Sequence, residues 1–277
     1  MTGFQPFVSQ QGYAGWRFLE RTVAPQKAAF ENSPQMLRDL EYFKQNIHSA
    51  TTAEDLVNDR RLLKVALGAF GLEGDLGKRA YVLKALTEGT EDDAAFANRM
   101  VDSRYSKLSK AFGYGNSLGA QVTRSDFVDS ILAPYKAHQF EVAVGGGNQS
   151  MRLAMTFVRE IGGFANSESP DSSAWFEVMG NPPLRQIFET AFGLPKSFGS
   201  LDVDKQREIL REKNDKMFGD SSLSVFQNKE NVDKLLKMFF LQQQVSDNAV
   251  ASAPGMAALT LLQNSANGMA QFFQSRL

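Results

Sequence analysis

The stretch Leu62–Leu72, LLKVALGAFGL, decides how this chain reads, because a diverged copy returns at Leu184–Leu194 as LRQIFETAFGL. Both end in Ala-Phe-Gly-Leu, 122 residues apart (Leu62 to Leu184). Each predicts the last turns of a buried helix followed by its stop signal. Gly71 and Gly193 stand where the residue after the helix must enter the left-handed region, which glycine does without a Cβ penalty. Leu72 and Leu194 then fold back on the last turn, toward Leu67 or Ala66 in the first copy and Phe188 in the second. The same punctuation recurs at Ala111-Phe112-Gly113-Tyr114.

Outward from this box the apolar residues keep a period near 3.6. Trp16, Leu19, Val23 and Phe30 mark one face of a helix interrupted by Pro25. Pro34 opens a second helix through Ile47, with Leu37, Leu40, Phe43 and Ile47 inward. Thr51-x-x-Glu54 reads as a capping box for the key helix, whose stripe is Leu56, Leu63, Leu67 and Phe70. A short helix over Lys78–Leu86 breaks at the Gly89 turn. Asp92 and Asp93 suit the positive end of a further helix that carries Phe96, Met100, Tyr105, Leu108 and Phe112 and stops at Gly113. The period is helical throughout, so the predicted class is all-α.

The second half retraces this path. Ala133-Pro134-x-Lys136-Ala137 and Phe140-Glu141 echo Ala24-Pro25-x-Lys27-Ala28 and Phe30-Glu31. Arg152, Phe157 and Ile161 fall where Arg38, Phe43 and Ile47 fell, and Lys234, Leu235, Lys237 and Phe239 mirror Lys107, Leu108, Lys110 and Phe112. The offset only grows: 109 at the prolines, 114 at Phe43/Phe157, 122 at the box and 127 at Phe112/Phe239. Insertions into a second copy produce that pattern, whereas chance matches scatter. The expectation is two similar helical modules, 13–118 and 123–245, from an internal duplication. A proline inside a helix costs about 3 kcal/mol, so its return at one relative place points to a needed bend.

Past Gln244 the composition changes, and Pro254–Ser275 predicts a C-terminal amphipathic helix within 252–277. It carries Leu259, Leu262, Met269, Phe272 and Phe273, read as a partner-binding or self-association surface, the alternative being a clasp packed back across the two modules. Full burial of one Leu or Phe is worth roughly 1.5–3 kcal/mol, so several left in water make a sticky face.

Composition narrows the function classes. The 277 residues are enough for a sizeable core, and 43% apolar residues with 22 Phe supply it. With 30 basic against 31 acidic side chains, no general field favours nucleic acid or an anionic membrane. Zero Cys excludes disulfides, thiolate nucleophiles and Cys-ligated metal. The first residues lack the basic and apolar regions of a signal peptide, and no apolar run approaches a membrane span. A cytoplasmic protein, or one exported to its destination without a signal peptide, is expected, with no membrane insertion.

No chemistry stands out. His48 and His138 hold unrelated places in the two copies and lack the spacing of a metal helix. Gly145-Gly146-Gly147-Asn148 lacks the Gly-Lys-Ser/Thr of a phosphate loop and reads as a connector. Glu73-Gly74-Asp75 with Gly77-Lys78-Arg79 reads as a polar turn rather than an anion site, and Glu91, Asp92 and Asp93 as a capping cluster. Neither G-x-S-x-G nor Ser-x-x-Lys occurs, and Arg60-Arg61 and Lys78-Arg79 lack interleaved aromatics. No catalytic, cofactor-binding or metal residue is assigned.

Five segments do carry a resemblance: GWRFLERT at Gly15–Thr22, EYFKQNI at Glu41–Ile47, DLVNDRRLLKVALGAFGL at Asp55–Leu72, FANRMVDSRYSKLSKAFGYG at Phe96–Gly115 and NQSMRLAMTFVREI at Asn148–Ile161. They resemble a family of uncharacterised proteobacterial proteins, chiefly alphaproteobacterial, catalogued as a domain of unknown function, whose genes are often found among flagellar genes. The resemblance spans residues 13 to about 245 and implies a link to flagellar assembly or motility, with no catalytic residues to carry over. The expected function is therefore a non-enzymatic interaction or accessory component of the flagellum, partnered by a flagellar or flagellum-assembly protein or by a second copy. The alternative is an enzyme in the cleft between modules, using Glu and Arg as acid and anion clamp. A pocket of convergent polar groups would mark the enzyme, and an exposed apolar groove the interaction protein.

Overall fold

Both glycine boxes end their helices in the same way. Gly71 has φ +70° and Gly193 φ +63°. Leu72 N–H donates to Leu67 O at 2.9 Å, and Leu194 N–H donates to Glu189 O at 2.9 Å. Gly71 N–H and Gly193 N–H reach Gly68 O and Thr190 O. These paired bonds satisfy carbonyls that a helix end otherwise leaves open. Gly113 makes the simpler stop, with φ +71° and one bond to Ser109 O.

The computed structural model describes residues 4–166 and 171–251, and every regular element among them is helical. The first seven helices are α1 (Gly12–Glu31), α2 (Pro34–Asn46), α3 (Ala53–Asn58), α4 (Arg60–Ala69), α5 (Arg79–Glu88), α6 (Phe96–Arg99) and α7 (Arg104–Phe112). Six follow: α8 (Phe127–Gly145), α9 (Gln149–Ala165), α10 (Asp171–Met179), α11 (Pro182–Ala191), α12 (Val203–Phe218) and α13 (Lys229–Ala251). The C-terminal stretch 252–277 lies outside the described residues, and with it Leu259, Leu262, Met269, Phe272 and Phe273.

Several local expectations are corrected. The capping box is Thr52 with Asp55, one residue later than Thr51/Glu54, and it opens only the short α3. Asp59 then caps α4 separately, its Oδ1 accepting from Arg61 N (2.8 Å) and Leu62 N (3.0 Å). The run from Phe96 to Phe112 is two helices, broken at Met100–Ser103, where Ser103 N–H donates to Gly180 O at 2.9 Å. On α2 the buried face is Met36, Asp39, Phe43 and Ile47, and Leu37 is exposed. Phe192 is buried but Phe70 only half so. Pro25 does not interrupt its helix: α1 runs unbroken through it, as α8 does through Pro134.

Two apolar cores result, and they do not divide at residue 118. The first gathers α2 to α7 with the N-terminal half of α8: Phe127, Ile131, Leu132 and Tyr135. The second gathers α9 to α13 and the C-terminal half of α8 (Phe140, Val144), joined by Trp16 and Leu19 of α1. Each core is thus completed by a helix that begins the other half of the chain. The ring of Trp16 stacks near Phe240 (centroids 6.2 Å), and Phe112 meets Phe127 edge to face at 5.2 Å. Helices α4 and α8 approach so closely at Gly68 that a Cβ there would sit 2.8 Å from the Tyr135 ring. The two proline helices meet at Phe30 and Phe140, edge to face at 5.7 Å, and Lys136 pairs with Glu31 at 3.1 Å.

Candidate functional site

Where the two cores meet, the Gly71 box touches a buried ionic cluster. Arg104, on the first turn of α7, donates to the Gly71 carbonyl and to Asp102. Arg152 of α9 pairs with Glu73, just past the box. Behind them His138 of α8 is 7% exposed, 3.6 Å from Glu141, and its Nδ1 accepts from Arg159 Nη2 at 3.3 Å. Glu141 is itself held by Arg159 (2.7 Å) and by the Thr156 hydroxyl (2.8 Å). Arg159 continues to Glu160 at 3.0 Å, and Glu160 accepts from Asn181, the N-cap of α11. A buried charge is tolerated only when paired in this way.

The electrostatics follow from that crowding. Burial, then the charges of Arg159, Arg152 and Arg104, lower the His138 pKa to about 3, so the ring is neutral. The nearby Glu141 does not counter this, because its carboxylate is engaged by Arg159 and Thr156. For Arg159, burial works against the charge, but the bond and attraction to Glu141 outweigh it and raise its pKa.

In front of the cluster lies an open groove of about 690 Å³. Helix α1 contributes Trp16, Leu19, Val23 and Ala24, α8 contributes Ala137 and Phe140, and α9 contributes Met155 and Val158. Glu141 and Arg159 lie at the same groove, already bound to each other. Its remaining charged residues are Arg17, Arg21, Lys27 and Lys229 against Glu20. Val158 is 47% exposed and extends the apolar strip onto the outer face of α9. Trp16 Nε1 is shielded from solvent and has no hydrogen-bond partner among the described residues.

The other singled-out residues are engaged locally. His48 Nδ1 lies 2.6 Å from Val122 O. Asp75 pairs with Lys78 (2.7 Å) and accepts from the Tyr105 hydroxyl (2.6 Å), so the turn after the box is filled by its own partners. Gly145–Gly147 end α8, and Asn148 caps α9 by accepting from Met151 N. Glu91 is bound by Ser117, and Asp92 accepts from Ala94 N. Among the described residues no group of three or more His, Cys, Asp or Glu could hold a metal ion, and no helix is long and apolar enough to cross a membrane.

The family described as Protein of unknown function (DUF1217) matches residues 69–232, more than half of the chain. The chain belongs to this family. The matched segment opens inside the first glycine box and takes in the whole ionic cluster, from Gly71 to Asn181. The family match leaves out α1, which supplies one wall of the groove. A crystal structure of a protein from Agrobacterium tumefaciens, a structural-genomics target, is similar with a TM-score of 0.67 and 27% sequence identity, over 88% of this chain and 99% of that one. The comparison with curated proteins gives no match.

Proposed function

We propose that this protein is a non-enzymatic interaction component linked to the bacterial flagellum, acting in its assembly or in motility. The observation that carries the interaction reading is the groove between α1, α8 and α9. Its floor is apolar, and its two acid–base pairs, Glu141 with Arg159 and Glu20 with Arg17, are closed on themselves rather than directed at a ligand. The flagellar part rests on the resemblance carried by Gly15–Thr22, Asp55–Leu72 and the other quoted segments. The partner is a flagellar or flagellum-assembly protein, or a second copy of the chain. The C-terminal segment, through Leu259, Leu262, Met269, Phe272 and Phe273, is proposed as a second interacting element, an amphipathic helix.

The two modules are proposed to descend from one by duplication. Three features support this: the matching stops at Gly71 and Gly193, the matching packing of α2, α3 and α4 beside that of α9, α10 and α11, and the contact of Phe30 with its counterpart Phe140. On this reading each module lends its first helix to the other's core.

The test is affinity capture of the full chain from cells with assembled flagella, read by mass spectrometry, beside swimming assays of a deletion strain. A flagellar structural or export protein should co-purify and swimming should fall. Normal swimming with no flagellar protein captured would overturn the proposal.

A further inference from the structure

We propose that the groove between α1, α8 and α9 receives an amphipathic helix with acidic flanks, presented by another protein. This rests on the interaction reading above and names the chemistry of the partner. The apolar strip fits one face of a helix, which is how helices commonly dock in grooves. The rim fixes the sign of the flanks. Arg17, Arg21, Lys27 and Lys229 stand against Glu20 along the rim, with Asp233 3.4 Å from Arg17 just beyond it. Arg17 is taken up by Glu20 (2.7 Å) and Lys27 lies 3.8 Å from Glu31, whereas Arg21 and Lys229 carry no ion pair among the described residues. Two cations without an ion pair among the described residues, Arg21 and Lys229, thus stand at the rim of an apolar groove. Such complementarity selects partners and speeds encounter more than it adds raw affinity.

The chain's own C-terminal segment fits the rim less well: past Val245 it carries one acid, Asp247, and one base, Arg276. The exposed Val158 is also not a demand of the fold. With the offset of 114 that aligns Phe43 with Phe157, Met155 and Val158 correspond to Glu41 and Lys44, both exposed on α2. Exchanging Met155→Glu together with Val158→Lys therefore borrows residues that the related helix already carries, with no change in net charge.

The probes are two fluorescein-labelled 18-residue synthetic helices sharing one Leu/Phe stripe, one with Glu and the other with Lys on the polar face. They are titrated against the full chain by fluorescence anisotropy, with Trp16 emission as a second readout. The Glu peptide should bind about tenfold tighter at low salt, and the gap should close as salt rises. Arg21→Glu with Lys229→Glu should reverse the order. Met155→Glu with Val158→Lys should abolish binding of both peptides while the circular dichroism stays helical, and Val158→Lys alone, which leaves the packing of Met155 on the second core intact, should weaken both with the melt unchanged. Equal binding of the two peptides, or a preference for Lys, overturns the acidic partner but leaves the groove reading intact if the Met155/Val158 exchange still abolishes binding. Binding that survives that exchange overturns both. Binding that appears only after truncation at Ala251 assigns the groove to the chain's own tail, and a dimer lost in the exchange assigns it to a second copy. Either result overturns the inference.

Discussion

Replacing Gly71 by alanine should cost more than replacing Gly193, although both end the same motif. Each new Cβ meets the left-handed backbone, a penalty of about 1–2 kcal/mol. At Gly193 little else happens, because the nearest atom to the new Cβ is the flexible end of Gln242, 3.6 Å away. At Gly71 the Cβ would lie 3.2 Å from His138 Cε1 and 3.3 Å from Arg104 Nη1. Arg104 donates to the Gly71 carbonyl itself, and loosening a charged hydrogen bond adds roughly 1.5–3 kcal/mol. The expected losses are therefore about 1–2 kcal/mol for Gly193→Ala and about 2.5–5 kcal/mol for Gly71→Ala, the valine variants being worse. Gly74→Ala is the control, since its Cβ would meet nothing and its φ is not positive. Urea unfolding at fixed pH measures all three, and an unchanged m-value keeps the comparison sound. Equal losses at Gly71 and Gly193 would refute the coupling of the first box to the ionic cluster. No loss at either would refute the helix-stop assignment.

Other outcomes follow from single residues. Asp59→Ala removes the cap of α4 and the acceptor of the Tyr42 hydroxyl (2.6 Å), and should cost about 1–2 kcal/mol in the same unfolding assay; a neutral variant would show that α3 and α4 do not depend on that cap. His138 is held neutral with a pKa near 3, so below about pH 6.5 the unfolded chain takes up a proton that the fold refuses. Stability should therefore fall by up to about 1.4 kcal/mol per pH unit between roughly pH 6.5 and 4.5, above the range where Asp59 and Asp75, whose pKa values are lowered, lose their partners. His138→Gln should flatten that slope, and parallel curves would reject the assignment. The piece 13–118, made alone, should fail to fold, because it lacks Phe127, Ile131, Leu132 and Tyr135 and leaves Trp16 and Leu19 uncovered; adding 123–251 should restore a cooperative melt, whereas a cooperative melt of 13–118 alone would contradict the exchanged helices. Deleting 252–277 should leave the melting midpoint unchanged while removing an oligomer by light scattering or a captured partner, and a destabilised protein that keeps its partners would end the interface role of that segment.

The helical class and the helix stops were legible because they are local. A period of 3.6 and a glycine needing positive φ act within one or two turns, and Gly71, Gly113 and Gly193 all sit where the sequence places them. The finer boundaries were harder wherever two signals compete within a few residues. Thr51, Thr52 and Asp59 are all good caps, and only packing decides that Thr52 opens α3 and Asp59 opens α4. The inward face of α2 was misjudged at Leu37 because Asp39 is drawn inside by partners remote in sequence, Lys64 at 2.6 Å and Tyr135 at 3.0 Å. The site was least legible for the same reason. His138 and Glu141 share a helix face at a spacing of three, a signal that by itself assigns neither a role. Arg159, Arg152 and Arg104, which set their chemistry, arrive from two other helices. The groove needs α1 against α9, a pairing that follows only once each half is known to lend its first helix to the other.

That exchange also explains why the groove exists at all. Helix α1 covers the second core with Trp16 and Leu19, then turns its later face toward α8, where Phe30 meets Phe140. The contact at Phe30 holds α1 and α8 together at one end, and the strip from Val23 to Val158 stays open between them. On the proposed duplication, α2 and α9 began with the same sequence. Their inward residues stayed alike: Phe43 and Phe157 are both fully buried, and Ile47 and Ile161 nearly so. Their outward residues parted, Glu41, Lys44 and Gln45 on α2 facing Met155, Val158 and Arg159 at the matching places on α9. Core packing accounts in part for Met155, which rests on the second core, but not for the exposed Val158. Apolar side chains held at a surface add little to stability where they stand and raise the hazard of association. Their retention where α9 meets α1 and α8 to form the groove is best accounted for by something that covers them there.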